Sequence, residues 1–311
     1  MSRALILHLG LLAVLLAGNV LLPAYHHGNM ARIMVLAVYA MGYNIAFGYT
    51  GLLSLGHAMF FAAGMYGMGL AIRLADAGAL PAMLTGLAAG AGLSLVVGLL
   101  ALRTAGVSFM IVTLMFSQAC YLAILYFGEW TRGDEGFVIQ AVDRTLFGID
   151  LSDPGNRYIA AWLLFSAVLL LTLRLVRRPA GRVFVAIREN EERARLLGYD
   201  TFRAKLSALV ISGTISAAGG AAYGLLFGYA GASFAGVQYS IFPLLWVLLG
   251  GAGTVVGPLL GTLFMFYLID LSSGFTEAYM LIAGLVLIGL TLFAPQGIAG
   301  ELRRRLWKGL P

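Results

Sequence analysis

The stretch IMVLAVYAMGYNIAFGYTGLLSLGHAMFFAAGMYGMGLAI, Ile33 to Ile72, holds no Asp, Glu, Lys or Arg. One helix needs roughly 20 predominantly apolar residues to cross the hydrocarbon of a bilayer, so a run this long predicts two crossings. The division falls at Tyr49-Thr50-Gly51, between the runs Ile33 to Tyr49 and Leu52 to Ile72. Breaks at membrane depth are tolerated only where protein or a water-filled path surrounds the freed backbone. The stretch therefore predicts a membrane protein with an interrupted, buried helix pair.

The rest of the chain agrees. Apolar residues make up 60% of its 311 positions and charged residues 11%, whereas a soluble domain carries about a quarter. Further runs near spanning length are Ala4 to Leu22, Ala82 to Leu102, Val107 to Phe127, Ile159 to Leu173, Leu206 to Tyr229 and Tyr279 to Ala294, while Phe242 to Ile269 is interrupted by GGAGTVVGP. The expected fold is all-α, a polytopic transmembrane bundle of eight to ten spans with broken or re-entrant segments, forming a single transmembrane domain over residues 1–311. The segment after Met1-Ser2-Arg3 lacks a convincing cleavage site and reads as a retained first helix. Cys120 is the one cysteine, which excludes a disulfide framework within the chain.

Charge placement sets the orientation, because Lys and Arg of short loops stay on the cytoplasmic side. Arg174 to Lys205 holds nine of the twenty basic residues, and Arg303, Arg304, Arg305 and Lys308 add four. Gly128 to Arg157 carries six acids against three arginines and should face outward. Counting crossings places both termini in the cytoplasm and leaves the Phe242 to Ile269 unit with either none or two crossings. The net charge of +6 follows from this bias, and no nucleic-acid partner is expected.

The largest cytoplasmic loop, GRVFVAIRENEERARLLGYDTFRAK at Gly181 to Lys205, concentrates charge. At helical spacing Val183, Ala186, Ile187, Ala194 and Leu197 share one side with Asn190, and Arg188, Glu189, Glu192, Arg193 and Arg195 take the other. Glu189 to Arg193 and Glu191 to Arg195 are acid-first pairs that favour helix, and Gly198 suits a left-handed helix end. Such a helix lies against the membrane interface or in a groove of a cytoplasmic protein.

Four blocks carry a resemblance: YNIAFGYTGLLSLGHAMFFAAGMYG at Tyr43 to Gly67, TRGDEGF at Thr131 to Phe137, the segment from Gly181 to Gly224, and LLGGAGTVVGPLLG at Leu248 to Gly261. In this order the chain resembles the permease subunits of ATP-driven importers for branched-chain amino acids, the LivM-type branch. The resemblance implies that residues 181–205 form a coupling loop seated in an ATPase subunit, with Arg188, Glu189, Asn190, Glu191, Ala194 and Gly198 matching the family pattern. It implies two cytoplasmic ATPases, a second and different permease, an extracytoplasmic binding protein, and a bacterial inner-membrane location. Cargo would be branched-chain or related hydrophobic amino acids, with urea or short amides as the alternative. ATP and magnesium would be used by the partner ATPases, and this chain would bind no cofactor. In TRGDEGF, Arg132 stands where the family usually has glycine, and Glu135 where it has Asp or Asn.

Ser54, Gly56 and His57 are polar or flexible positions in apolar sequence, and Gly250, Gly251 and Gly253 interrupt the later run. Both groups read as close helix packing or as broken backbone lining the translocation path. Catalysis finds no support: the only lysines follow Ala204 and Trp307, so no phosphate loop exists, and neither G-x-S-x-G around Ser54 nor H-E-x-x-H occurs. No metal site is expected. Asp76 is the only acid between Met30 and Gly128, which argues against a proton-coupled transporter. A channel remains an alternative on composition.

Overall fold

The computed structural model describes residues 3–294 and 296–306. Met1, Ser2 and Lys308 of the charge argument lie outside the described residues. The chain is an all-α bundle. Helices α1 (Arg3–Leu21) and α2 (Ala24–Asn44) are joined by a short turn, and α2 continues as a π-helical segment, Ile45–Tyr49. After an unwound stretch come α3 (Ala58–Ala75), α4 (Ala79–Ala101), α5 (Val107–Tyr126) and the single turn α6 (Gly128–Thr131). Strands β1 (Phe137–Val138), β2 (Thr145–Leu146) and β3 (Ile149–Asp150) precede α7 (Pro154–Arg177). Then follow α8 (Pro179–Glu189), α9 (Glu191–Leu196), α10 (Thr201–Phe227), β4 (Tyr229–Ala230), α11 (Val237–Gly250), α12 (Gly257–Ser273), α13 (Tyr279–Phe293) and α14 (Gly297–Leu306). Among the described residues six helices are long and apolar enough to cross a membrane, and α11, α12 and parts of α1 and α13 are shorter apolar helices.

Long apolar runs become helices because a bilayer leaves every backbone group to be satisfied within the segment. The boundaries are set by polar caps: Asp153 accepts from Asn156 N–H at 3.1 Å ahead of Pro154, and Asp200 accepts from Arg203 N–H at 3.0 Å. Arg174 and Arg177 close the last turn of α7, where cations meet the negative end of the helix dipole.

The centre is built from α2, α3, α4 and α10, with α2 and α10 buried along most of their length. Helix α10 contributes Ser212, Gly213, Ser216, Ala217, Gly220 and Ala221 to the contact, all buried. A Cβ on Gly64 would overlap the Ala217 carbonyl, one on Gly220 that of Phe61, and one on Gly90 the Ala217 side chain. Backbones touch because no side chains keep them apart. In contrast α4 and α5 expose Leu84, Leu95, Val96, Ile111, Met115 and Leu122, a surface matched to lipid or to another apolar chain.

Two ends can be told apart. At one, β1 pairs antiparallel with β4 (Phe137 opposite Ala230) and β2 with β3 (Thr145 opposite Asp150); we call this the strand end. The other carries α8 and α9 and is the loop end. Tyr25, at the start of α2, hydrogen-bonds Asp270 near the end of α12, and the α11–α12 turn meets the end of α2 at Gly48. Helix α12 therefore runs between the two ends, and the Phe242 to Ile269 unit is a helical hairpin.

The sequence expectations need two corrections here. The break after Tyr49 is not confined to three residues. It runs from Gly51 to His57, so the run Leu52 to Ile72 is helical only from Ala58. The loop 181–205 is not one helix, because Asn190 is extended (φ −162°, ψ 103°) and separates α8 from α9.

Candidate functional site

The unwound stretch begins with a change of hydrogen-bond register. In a continuous α-helix Leu52 N–H would bond Gly48 O; instead it bonds Ala46 O at 2.8 Å, and Gly51 N–H bonds Phe47 O at 3.0 Å. Such π-turns recur at functional sites. The Gly48 carbonyl, released from the helix, accepts from the Arg188 guanidinium of α8. Asn44, one turn earlier, donates to Thr254 O at 2.8 Å and accepts from Gly253 N–H at 2.9 Å. Only glycine fits at 48, where a Cβ would overlap the Asn44 carboxamide.

From Gly51 the backbone climbs into the bundle. Its polar groups are met by side chains rather than by a helix: Leu55 N–H bonds Thr113 Oγ1 of α5 at 3.2 Å, Ser54 O accepts from Tyr43 OH at 3.0 Å, and Gly56 N–H bonds Ser54 Oγ at 3.3 Å. Ser54 and Gly56 are buried, and a Cβ on Gly56 would overlap the Thr113 carbonyl. At the start of α3, Ala58 N–H bonds Ser240 Oγ of α11 at 3.0 Å. The stretch is thereby tied to α5, α10 and α11 at once.

His57 is fully buried among Tyr39, Tyr43 and Phe60, whose rings lie 6.3, 4.9 and 5.0 Å from its own. Its Nε2 is 2.9 Å from Ser212 Oγ, near the middle of α10. The single Ser212 hydroxyl proton goes to Gly42 O at 2.5 Å, so Ser212 can only accept from the imidazole. His57 therefore donates from Nε2, and its Nδ1 has no hydrogen-bond partner among the described residues. It bridges α3 to α10 and, through Ser212, to α2.

At the loop end, the six coupling-loop positions separate by direction. Arg188 turns inward to Gly48. Glu191 meets Lys205 Nζ at 2.7 Å and Arg195 at 3.5 Å. Burial is the largest single influence and raises the Glu191 carboxyl, but the bond and charge of Lys205, a bond from Thr201 and the charge of Arg195 together outweigh it, so the group titrates below the ordinary carboxylate range. Ala194 is buried by its own chain. Asn190 caps α9 by accepting from Arg193 N–H at 2.8 Å, and Glu189 is exposed at the end of α8. Gly198 has φ +86° and closes α9, with Tyr199 N–H bonded to Ala194 O at 3.2 Å. The expected apolar stripe is corrected by these positions: Phe184 and Ile187 are buried, whereas Leu197 is 70% and Leu196 88% exposed. The break at Asn190 rotates α9 away from the register a single helix would give. It also puts Glu189 and Arg193 on different helices.

The glycine-rich turn faces the same junction. Gly250 lies against Gly257 and Gly261, Gly251 (φ +117°) against Gly297, and Gly253 (φ +75°) against Gly48 and Arg188. A cavity of about 320 Å³ opens between the unwound stretch, the α4–α5 turn and the charged loop, lined by Thr50, Leu53, Thr104, Met110, Arg188 and Lys205 among others. Asn44, Ser212, Thr113 and Ser240 were not among the residues the sequence singled out. Their signal is a polar side chain with apolar sequence on both sides, which each helix also carries elsewhere.

At the strand end Thr131, Arg132 and Gly133 make the tight turn before β1, and Arg132 takes φ +62°. Tyr229 OH bonds Glu135 O at 2.9 Å, and Arg73 lies over the Phe137 ring, so the block TRGDEGF is fastened to the turn after α10.

A many-pass bundle with an unwound buried helix start, sewn to a charged loop at one end, is the architecture of a membrane transport permease. The comparisons agree: residues 28–293 match the family model for the branched-chain amino acid transport system permease component. The chain belongs to that family. It is 30% identical over 299 residues to the high-affinity branched-chain amino acid transport system permease protein LivM of Escherichia coli, covering 88% of this chain and 69% of that protein. It is 34% identical over 110 residues to the probable branched-chain amino acid transport permease protein LivM of Methanocaldococcus jannaschii, covering 34% and 32%. The autoinducer 2 import system permease protein LsrC of Photorhabdus laumondii is 29% identical over 144 residues, 42% of each chain. No solved structure gives a significant match.

Proposed function

We propose that this chain forms half of the translocation path of an ATP-driven importer for branched-chain or related hydrophobic amino acids. Family membership and the likeness to the Escherichia coli LivM support the cargo class. In this reading the chain sits in the bacterial cytoplasmic membrane with the loop end and both termini inside. It pairs with a second, different permease, receives cargo from an extracytoplasmic binding protein at the strand end, and moves with two cytoplasmic ATPases. Those ATPases use ATP and magnesium; this chain holds no cofactor and is not itself an enzyme.

The observation that carries the reading is the two-faced coupling loop. Its inner face is fixed to the bundle through Arg188, Glu191 and Ala194. Its outer face offers Glu192, Arg193, Leu196 and Leu197, exposed apolar side chains ringed by charge. That pattern suits a helix-in-groove contact, with apolar anchors supplying affinity and charges setting register. The break at Gly51 to His57 and the glycines at 250, 251 and 253 are the parts that take up the movement.

The test is to purify the complete complex carrying Leu196→Asp and Leu197→Asp together. The ATPases should no longer co-purify, while this chain and its sister permease remain folded and paired. Retained ATPases with unchanged uptake would overturn the docking role of the loop.

A further inference from the structure

Arg188 is exposed at the end of α8, yet its guanidinium reaches back to the bundle. Its stem lies over Gly51, where a Cβ would be 3.0 Å from Arg188 Cγ and 3.5 Å from Arg188 Cβ, and its guanidinium bonds the Gly48 carbonyl that the π-turn releases. A Cβ on Gly253 would stand 2.8 Å from Arg188 Nη1, and Asn44 holds both Gly253 and Thr254. One guanidinium thus sits where α8, the end of α2, the unwound stretch and the α11–α12 turn meet.

We propose that Arg188 is the positioning residue that carries displacement of the coupling loop into the broken helix, moving Gly48, Gly51 and Gly253 as one body. The proposal rests on the importer reading above and deepens it. A carbonyl in a regular helix is already bonded and offers a lever little to hold, whereas Gly48 O is free for an outside donor. Guanidinium has five donors in a fixed fork, and an ammonium has a single charged point, so arginine can hold the carbonyl in a fixed direction. Beyond Gly51 the displacement passes along extended backbone to Leu55, His57 and Ala58, whose bonds go to Thr113, Ser212 and Ser240 on three other helices. The 320 Å³ cavity beside Thr50 and Met110 leaves room for this junction to shift without collision.

The experiment uses the complete complex in lipid vesicles with its binding protein, and reads uptake and ATP hydrolysis together. In Arg188→Ala the ATPases stay bound and hydrolysis continues, while cargo moved per ATP falls about tenfold or more, the loss expected of one charged hydrogen bond. Arg188→Lys recovers part of it. Asn44→Ala weakens the same ratio, and the double variant is no worse than Arg188→Ala, because both act through one junction. Unchanged transport per ATP in Arg188→Ala overturns the proposal. So does loss of the ATPases, which would make Arg188 a docking contact.

A covalent substitute keeps the test decisive if Arg188→Ala fails to assemble. Gly51→Cys with Arg188→Cys, in a Cys120→Ser background, places the two Cβ atoms about 3.5 Å apart, within disulfide range. Reduced, this pair should hydrolyse ATP without transport; oxidised, it should transport again, because the bond replaces the guanidinium. Gly51→Cys alone controls for the strain of φ +78°. Equal transport in the reduced and oxidised pair refutes the role of Arg188. Failure of the importer reading is distinguishable, since it leaves the ATPases on the Leu196→Asp, Leu197→Asp loop.

Discussion

Arg132 and His57 show what single side chains contribute. Arg132 takes φ +62° in the turn before β1, a conformation that costs a residue with a Cβ about 1–2 kcal/mol. Arg132→Gly should therefore raise stability by about 1 kcal/mol, less the added freedom of the unfolded chain, measurable as a higher unfolding temperature in detergent. Gly56→Ala should do the opposite, because the new methyl overlaps the Thr113 carbonyl on α5; folded yield should fall sharply, while Gly10→Ala, with open space around it, leaves yield unchanged. His57 holds its partner as a donor and lies among aromatic rings with no carboxylate in contact. His57→Gln can still donate to Ser212, so ATP-driven uptake should persist with at most a changed apparent affinity. Uptake driven by a pH gradient alone in the unmutated complex, and abolished by this substitution, would falsify that structural role. The sequence marked Ser54, Gly56 and His57 as unusual because polarity stands out in apolar surroundings. It could not show Ser212 as the partner, which lies 155 residues away along the chain.

Among the elements, the two broken segments differ in how they could be read. The extent of the first break was hidden because Leu52, Leu53 and Leu55 are good helix formers, and what unwinds them is tertiary: Thr113 takes the Leu55 N–H and Tyr43 takes the Ser54 carbonyl. The second break was legible in principle, since Asn190 followed by Glu191-Glu192 is an N-cap with acids in the first turn. The acid-first pairing of Glu189 with Arg193 obscured it by favouring one continuous helix. The Glu191 bond to Lys205 now joins α9 to α10. Since this carboxyl is held below its ordinary value in the folded chain, the bond stabilises at pH above the unfolded value of about 4.3 and its contribution fades as pH falls through the lower folded value. The difference in unfolding temperature between the unmutated chain and Glu191→Gln should be constant from pH 8 to about 5 and should shrink only in more acid solution.

For the whole molecule, apolar run length was enough to mark an all-α bundle of many spans, because bilayer thickness leaves few alternatives. Charge asymmetry then assigned sides. Contacts put the two charged segments at opposite ends: Arg188 and Lys205 share one cavity with Thr104, and the acidic segment around Asp150 lies with the strands at the other. Single cysteines at Arg193 and at Arg144, in a Cys120→Ser background, should accordingly react with an impermeant thiol reagent from opposite faces of intact cells. Equal labelling from outside would overturn the orientation. What sequence could not supply was the α11–α12 hairpin, because a glycine-rich interruption reads equally as a surface turn or as a re-entrant dip. The bond between Tyr25 and Asp270 decides it by tying the far end of α12 to the strand end.

The contact of α3, α4 and α10 through Gly64, Gly90 and Gly220 leaves backbone against backbone. At these glycines no rotamer change can absorb a displacement, so the three helices are coupled closely there and should tilt together. Give is then concentrated in the backbone from Gly51 to His57, where the Leu55 and Gly56 amides are held by side-chain oxygens instead of a helical ladder. Deuterium uptake should report this as a gradient: slow exchange where α3, α4 and α10 meet, and faster exchange across Gly51 to His57 that increases during turnover.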